Sequence, residues 1–256
     1  MNSKNIVAGA LIFATSIILF LTGCQTDQEL PGAGNNSSLS YHQFRAGSSS
    51  NTIDYKYFLN SKQISADRYA RIQDSVELFV AANRTNPTTS ANEVNIYVYS
   101  SSDQLVSQGL RDSLYFMQPK ALLEFESIMR NYAKESGAIE EYAKKGTLSS
   151  AYVAYEKSQY ERIFHKPYRS EVADLASNTW DSVVYLSTPS PSVILQDGIN
   201  NKASAYLSDE EKTTVLYSDP FYRNRLLILH GITTPYIALA GPLSFADDRA
   251  SSLLTY

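Results

Sequence analysis

Few residues in this chain have types and spacing that suggest chemistry. Cys24 is the only cysteine in 256 residues, so no intrachain disulfide and no cysteine-based zinc site can form. The three histidines, His42, His165 and His230, are far apart in sequence, and a metal site would need His165, His230 and carboxylates gathered by the fold. Glu135-Ser136 follows a helical pattern, and Glu126-Ser127 supplies a second Glu-Ser pair. A glutamate there would act as a general acid only if apolar walls raised its pKa and a sugar cleft faced it. The pairs Glu140-Glu141 and Asp247-Asp248 offer carboxylates to a divalent cation, but neighbouring carboxylates on a helix diverge, and Lys144 lies four residues beyond Glu140. His-Glu-x-x-His, Gly-x-Ser-x-Gly, Ser-x-x-Lys, the phosphate-binding glycine loop and the calcium loop are all absent. No catalytic residue, metal or cofactor is assigned on these patterns. Glu135 is the one candidate acid carried forward.

Stepping outward from Cys24, the chain opens with Lys4 and then the uncharged apolar run Ile6 to Leu21, broken by Gly9, Thr15 and Ser16. A membrane span needs about 20 predominantly apolar residues, so the shorter run reads as a cleavable signal. Leu21-Thr22-Gly23-Cys24 resembles the lipobox of bacterial lipoproteins. That resemblance covers only the first 24 residues. It implies cleavage between Gly23 and Cys24, with a diacylglyceryl group on the Cys24 thiol. Two or more acyl chains hold a protein stably where one does so only marginally. In that family an Asp after the cysteine retains the product at the inner membrane, so Gln25 implies the outer membrane if the host is Gram-negative.

Glu135-Ser136 resembles the start of the lytic-transglycosylase signature, in which the glutamate protonates the glycosidic oxygen. That family's downstream Gly-Leu-Met-Gln run is missing here.

The elements that would position such groups divide into a signal at 1–23, a lipidated tether at 24–51 and one globular domain at 52–256. The tether is rich in Gly, Ser and Asn, and at 5–6 Å × √n it holds the domain roughly 30 Å from the lipid. The formal net charge is −4, and loss of Lys4 with the signal makes the mature chain one unit more negative. Such a balance argues against nucleic acid as a partner and against broad adhesion to anionic lipid. The 19 tyrosines suit interfaces and sugar surfaces, although ordinary half-buried rings explain the count as well.

Alternation marks strands at Ile53–Leu59, Val94–Val98 and Ser182–Ser187. Helical spacing joins Tyr69, Ile72, Val76, Phe79 and Val80 in a helix capped by Ser65. Leu105, Val106, Leu110 and Leu114 share a second helical face. A third helix opens at Pro119 and ends near Gly137, a short one ends at Gly146, and another covers 149–165. Ser170 is read as a further cap, Ser208-Asp-Glu-Glu211 as a capping box, and Asp219-Pro220 as the start of a core helix running to Gly231. The expected fold is α+β, a predominantly helical single domain with a small sheet, with mainly α as the alternative. The expected function is that of a membrane-anchored envelope protein of the binding, accessory or immunity type. Its partners would be the membrane, through Cys24, and an envelope protein or peptidoglycan. The rival expectation is a cell-wall hydrolase or other envelope enzyme with a dispersed site.

Overall fold

The computed structural model describes residues 53–76, 78–82, 93–168, 173–177, 183–186, 193–194, 201, 203–208, 212–231, 237–239 and 241–256. The signal, Gly23, Cys24, the tether and His42 lie outside the described residues, as do Ser170 and residues 209–211 of the capping box.

The strands are β1 (Asp54–Leu59), β2 (Lys62–Ile64), β3 (Leu78–Ala82), β4 (Glu93–Tyr99), β5 (Ala173–Ser177), β6 (Val183–Leu186), β7 (Val193–Ile194), β8 (Ala203–Ser208), β9 (Thr213–Asp219), β10 (Arg223–His230), β11 (Ile237–Ala238) and β12 (Ser252–Thr255). The helices are α1 (Ala66–Ile72), α2 (Ser102–Gln108), α3 (Pro119–Glu135), α4 (Ala138–Lys145) and α5 (Ser150–Phe164). Eight strands form one sheet in the order β2-β1-β4-β3-β10-β9-β12-β7, and four form a second in the order β11-β8-β5-β6. Within the large sheet β1 runs parallel to β4 and β3 parallel to β10, and the other pairs are antiparallel.

This is an α/β architecture built on a large mixed sheet. The expectation of a predominantly helical domain with a small sheet is wrong, and so is its mainly α alternative. The physical reason lies in the central strands. β3 is buried at all five positions, and β10 from Leu226 to His230 is buried throughout. A strand covered on both faces has no polar alternation, so its short apolar run is indistinguishable by period from a buried helix. Phe79 and Val80 therefore extend the spacing of Tyr69, Ile72 and Val76, yet α1 stops at Ile72, a 3-10 turn follows to Ser75, and both residues belong to β3. Likewise Leu226, Leu227 and Leu229 sit on β10, between β3 and β9, and not on a core helix. After the Ser208 segment the chain is β9, whose Thr213-Thr214-Val215 start is β-branched and suits a pleated strand.

The two faces of the large sheet carry separate cores. On one, Phe79, Val94, Ile96, Val98, Leu216 and Leu227 meet Tyr69 of α1, Tyr206 of β8 and Leu243 of the 3-10 segment Gly241–Ala246. On the other, Val80, Tyr99, Val215, Tyr217 and Ile228 meet the helices through Phe125, Met129, Tyr160 and Phe164. α3 follows Pro119, which fits the first helical turn because no intrahelical donor is needed there. Gly137 and Gly146, at φ 72° and 68°, let the chain turn at both ends of α4. Among the described residues no helix is long and apolar enough to cross a membrane.

Candidate functional site

The connection from α2 to α3 builds an apolar cleft on the protein surface. Ser101 caps α2 by accepting from the Gln104 amide at 3.3 Å, and the helix stops at Gly109. A Cβ at Gly109 would stand 2.5 Å from the Leu105 carbonyl oxygen, so only glycine lets the chain pass this close to the helix end. The Leu114 amide then closes the turn on the Gly109 carbonyl at 2.7 Å. A 3-10 turn, Tyr115–Met117, leads through Gln118 to α3. The resulting cleft has a volume of about 350 Å³, with Leu105 and Leu114 as its buried floor and Val106, Leu110, Tyr115 and Pro119 around it. Leu110 is 73 % exposed and Tyr115 69 %, whereas the next large apolar side chain among the described residues, Val153, is 37 % exposed. Sequence periodicity places Leu110 and Leu114 on one helical face with Leu105 and Val106. α2 ends before Leu110 and Leu114, and of these two only Leu114 is buried.

The cleft walls are fastened to the sheet by buried polar contacts. Glu126 of α3 is fully buried, and its Oε1 accepts from Arg225 Nε at 3.0 Å and from the Tyr217 hydroxyl at 2.7 Å. Arg225 also donates to Glu126 Oε2, with Arg130 a further 3.5 Å contact on that oxygen. The third Arg225 nitrogen donates to Ser102 Oγ at 3.2 Å, which ties the first turn of α2 into the same cluster. Burial by itself would lower the Arg225 pKa, but Glu126 and Tyr217 outweigh it, and the net direction is upward. Burial, followed by the Glu126 charge, drives the Tyr217 hydroxyl well above its ordinary value. Both effects keep the protons where the hydrogen bonds need them.

Tyrosines make the other ties. Tyr99 of β4 donates to the buried Asp112, and Tyr256, next after β12, donates to the Met117 carbonyl at 2.6 Å, so the cleft loop is held at two points. Deeper in the helix layer, Phe221 and Tyr222 form the β9–β10 turn at φ 63° and 59°, a backbone region that bulky residues seldom occupy. Their burial offsets that strain. Tyr222 donates to the buried Glu156 at 2.5 Å and packs edge-on to Phe125 and Tyr217. Among the described residues seven of the twelve largest fully buried side chains are tyrosines, and Tyr99, Tyr160, Tyr206, Tyr217, Tyr222 and Tyr256 each carry a hydroxyl that donates to a neighbouring element.

The residues singled out in the sequence are dispersed. Glu135 is exposed on the last turn of α3, and Ser136 beside it donates to the Tyr132 carbonyl at 2.7 Å. His165 is exposed at the end of α5, while His230 is buried on β10, stacked on Phe116 with its Nδ1 2.8 Å from Thr213 Oγ1. Glu141 pairs with Lys145 at 2.8 Å on the surface of α4, and Asp247 and Asp248 lie in the turn before β12. Among the described residues no group of three His, Cys, Asp or Glu is placed to hold a metal ion.

Glu126 has a visible sequence signal. It follows Phe125 and shares the apolar stripe of Leu122 and Met129, so an acid stood at a core position. Arg225 carries no comparable signal, because the apolar run that follows it on β10 has no alternation to mark a strand. No protein-family model matches this chain, and comparisons with curated proteins and with solved structures find no significant similarity.

Proposed function

We propose that this chain is a membrane-anchored envelope lipoprotein, cleaved at Gly23–Cys24 and lipidated on Cys24, whose folded domain works by contact through the cleft between α2 and α3. The cleft carries this reading. The two most exposed large apolar side chains among the described residues, Leu110 and Tyr115, stand together on its rim. Leaving such side chains in water forgoes roughly 1.5–3 kcal/mol for a leucine that could be buried, and a contiguous apolar surface marks a place where something docks. The nearby buried acids have structural partners instead: Glu126 holds Arg225 and Tyr217, and Asp112 holds Tyr99. Glu135 has the exposed setting of a solvated helix-end residue, which supports contact over acid catalysis at that position.

The test compares variants in a strain lacking the chain. Leu110→Ser combined with Tyr115→Ser should keep the thermal midpoint and fail to restore the missing function, while Glu135→Gln should restore it fully. Release of soluble muropeptides from peptidoglycan by the purified protein, lost in Glu135→Gln, would overturn the proposal in favour of a hydrolase.

A further inference from the structure

Resting on the reading that Cys24 tethers the chain to a membrane, we propose that the occupant of the cleft is the bilayer itself. Leu110 and Tyr115 enter the interface of an anionic phospholipid surface, with Arg111 and Lys120 on its phosphates. The apolar pair is suited in kind. Leucine gains by leaving water for the acyl boundary, and a tyrosine ring with its hydroxyl outward belongs at headgroup level.

The charges beside the pair complete the match. Arg111 follows Leu110 directly and Lys120 lines the cleft, and both are exposed with no hydrogen bond or ion pair from their side chains among the described residues. The acid next to Arg111, Asp112, is turned inward onto the Tyr99 hydroxyl. Glu124, one turn beyond Lys120 on α3, is paired with Arg162 at 3.1 Å, and Asp103 stands in the first turn of α2, roughly 10 Å back along the helix axis at 1.5 Å per residue. The patch is thus apolar and locally cationic on a chain whose formal charge is −4. That local contrast fits anionic headgroups, and a protein partner would have to supply both an apolar knob and acids to match it.

The tether makes a weak contact sufficient. A domain already held within about 30 Å of the lipid meets the surface at high effective concentration, so a modest insertion fixes its orientation. The second attachment would hold the α2–α3 edge down and turn the opposite end of the domain outward.

The experiment places an environment-sensitive nitrobenzoxadiazole fluorophore on the full chain through Leu110→Cys, with Val153→Cys as an exposed control on α5. Lipidated protein is reconstituted in vesicles of phosphatidylglycerol and phosphatidylethanolamine that carry nitroxide-labelled acyl chains. The Leu110 position should shift to the blue and be quenched several-fold more strongly than the Val153 position. Replacing phosphatidylglycerol by phosphatidylcholine, or introducing Arg111→Glu with Lys120→Glu, should remove most of that difference.

Equal quenching at the two positions overturns the proposal. So does a shift seen only in isolated envelope membranes, since that outcome means a protein occupant. The tether reading is checked separately on the protein with its natural residues at 110 and 153. If Cys24 there reacts with the fluorophore, its thiol is free and the anchor reading fails. The same two-position comparison in the Cys24→Ser background then still decides the fate of the cleft.

Discussion

The buried cluster around Glu126 makes a prediction whose size can be worked out from its geometry. Glu126→Gln keeps the volume of the side chain and removes its charge. In the native protein one carboxylate oxygen takes Arg225 Nε and the Tyr217 hydroxyl, at 3.0 and 2.7 Å, and the other takes a second Arg225 nitrogen. An amide offers one acceptor where two are used, and its NH₂ faces a donor. Arg225 then holds a charge on a side chain only 12 % exposed, with its nearest counter-ion gone. Breaking a buried pair on one side costs about 3–5 kcal/mol, because the remaining charge is left desolvated.

For a domain of this size each kcal/mol moves the thermal midpoint by about 2–4 °C, so Glu126→Gln should lower it by roughly 6–20 °C. Circular dichroism on the purified protein, heated and in urea, measures both quantities. Glu124→Gln is the control, since Glu124 and Arg162 form a pair that is 52 % exposed on each side and should change stability by about 1 kcal/mol or less. The double variant Glu126→Leu with Arg225→Met should recover most of the loss, as apolar replacement of a buried pair is often neutral. If Glu126→Gln behaves like Glu124→Gln, the cluster is reached by water and the account of how the cleft is fastened is wrong.

Three further outcomes are expected. Tyr222→Phe removes a hydrogen bond to a buried carboxylate and should destabilise by about 1–3 kcal/mol, whereas Tyr152→Phe should be near neutral in the same denaturation assay because the Tyr152 hydroxyl has no hydrogen-bond partner among the described residues. Stability should fall steeply in alkali: burial raises Tyr55 to about 12 and pushes Tyr69, Tyr99, Tyr217 and Tyr222 upward too, so above about pH 10 the unfolded chain loses protons that the folded chain retains. This contribution is fully present below pH 10 and lost above it, and the ultraviolet absorbance of tyrosinate should rise together with unfolding. Cys24→Ser should abolish the lipid-dependent mass increase and the processing at Gly23–Cys24, and mature-size protein persisting in the membrane pellet would refute the anchor.

How much of this was legible in the sequence depends on which forces a residue's neighbours exert. Helices α3, α4 and α5 were readable because one face is core and one is solvent, so the 3.6-residue period survives, and because Pro119, Gly137 and Gly146 mark their ends. β1 is readable because it is only half-buried and its apolar residues alternate, and β4, although buried on both faces, still alternates in residue type, with Val94, Ile96 and Val98 against Asn95 and Tyr97. β3 and β10 were not, since both of their faces are core and the period vanishes. The cleft was illegible for a different reason. Leu105 and Leu110 have the same side chain and stand five residues apart, yet one is fully buried and the other 73 % exposed. That difference is made by where Gly109 turns the chain, which is decided by tertiary contact.

The polar ties and the exposed apolar rim explain each other. A loop tip that carries Leu110 and Tyr115 would by itself fold back to cover them, because hydrophobic burial is non-directional and the floor of the cleft is apolar. Here the tip and its flanks are held at separate points: Asp112 by Tyr99, Met117 by Tyr256, and Ser102 at the start of α2 by Arg225. Each tie uses a buried hydrogen bond, directional and expensive to leave unmade, and so resists the collapse that apolar attraction alone would favour. A rim held open in this way has already given up conformational freedom in folding, and therefore loses less of it on contact. The abundance of buried tyrosine and the exposure of one apolar edge thus belong to a single arrangement, in which the interior is wired so that the surface can stay apolar.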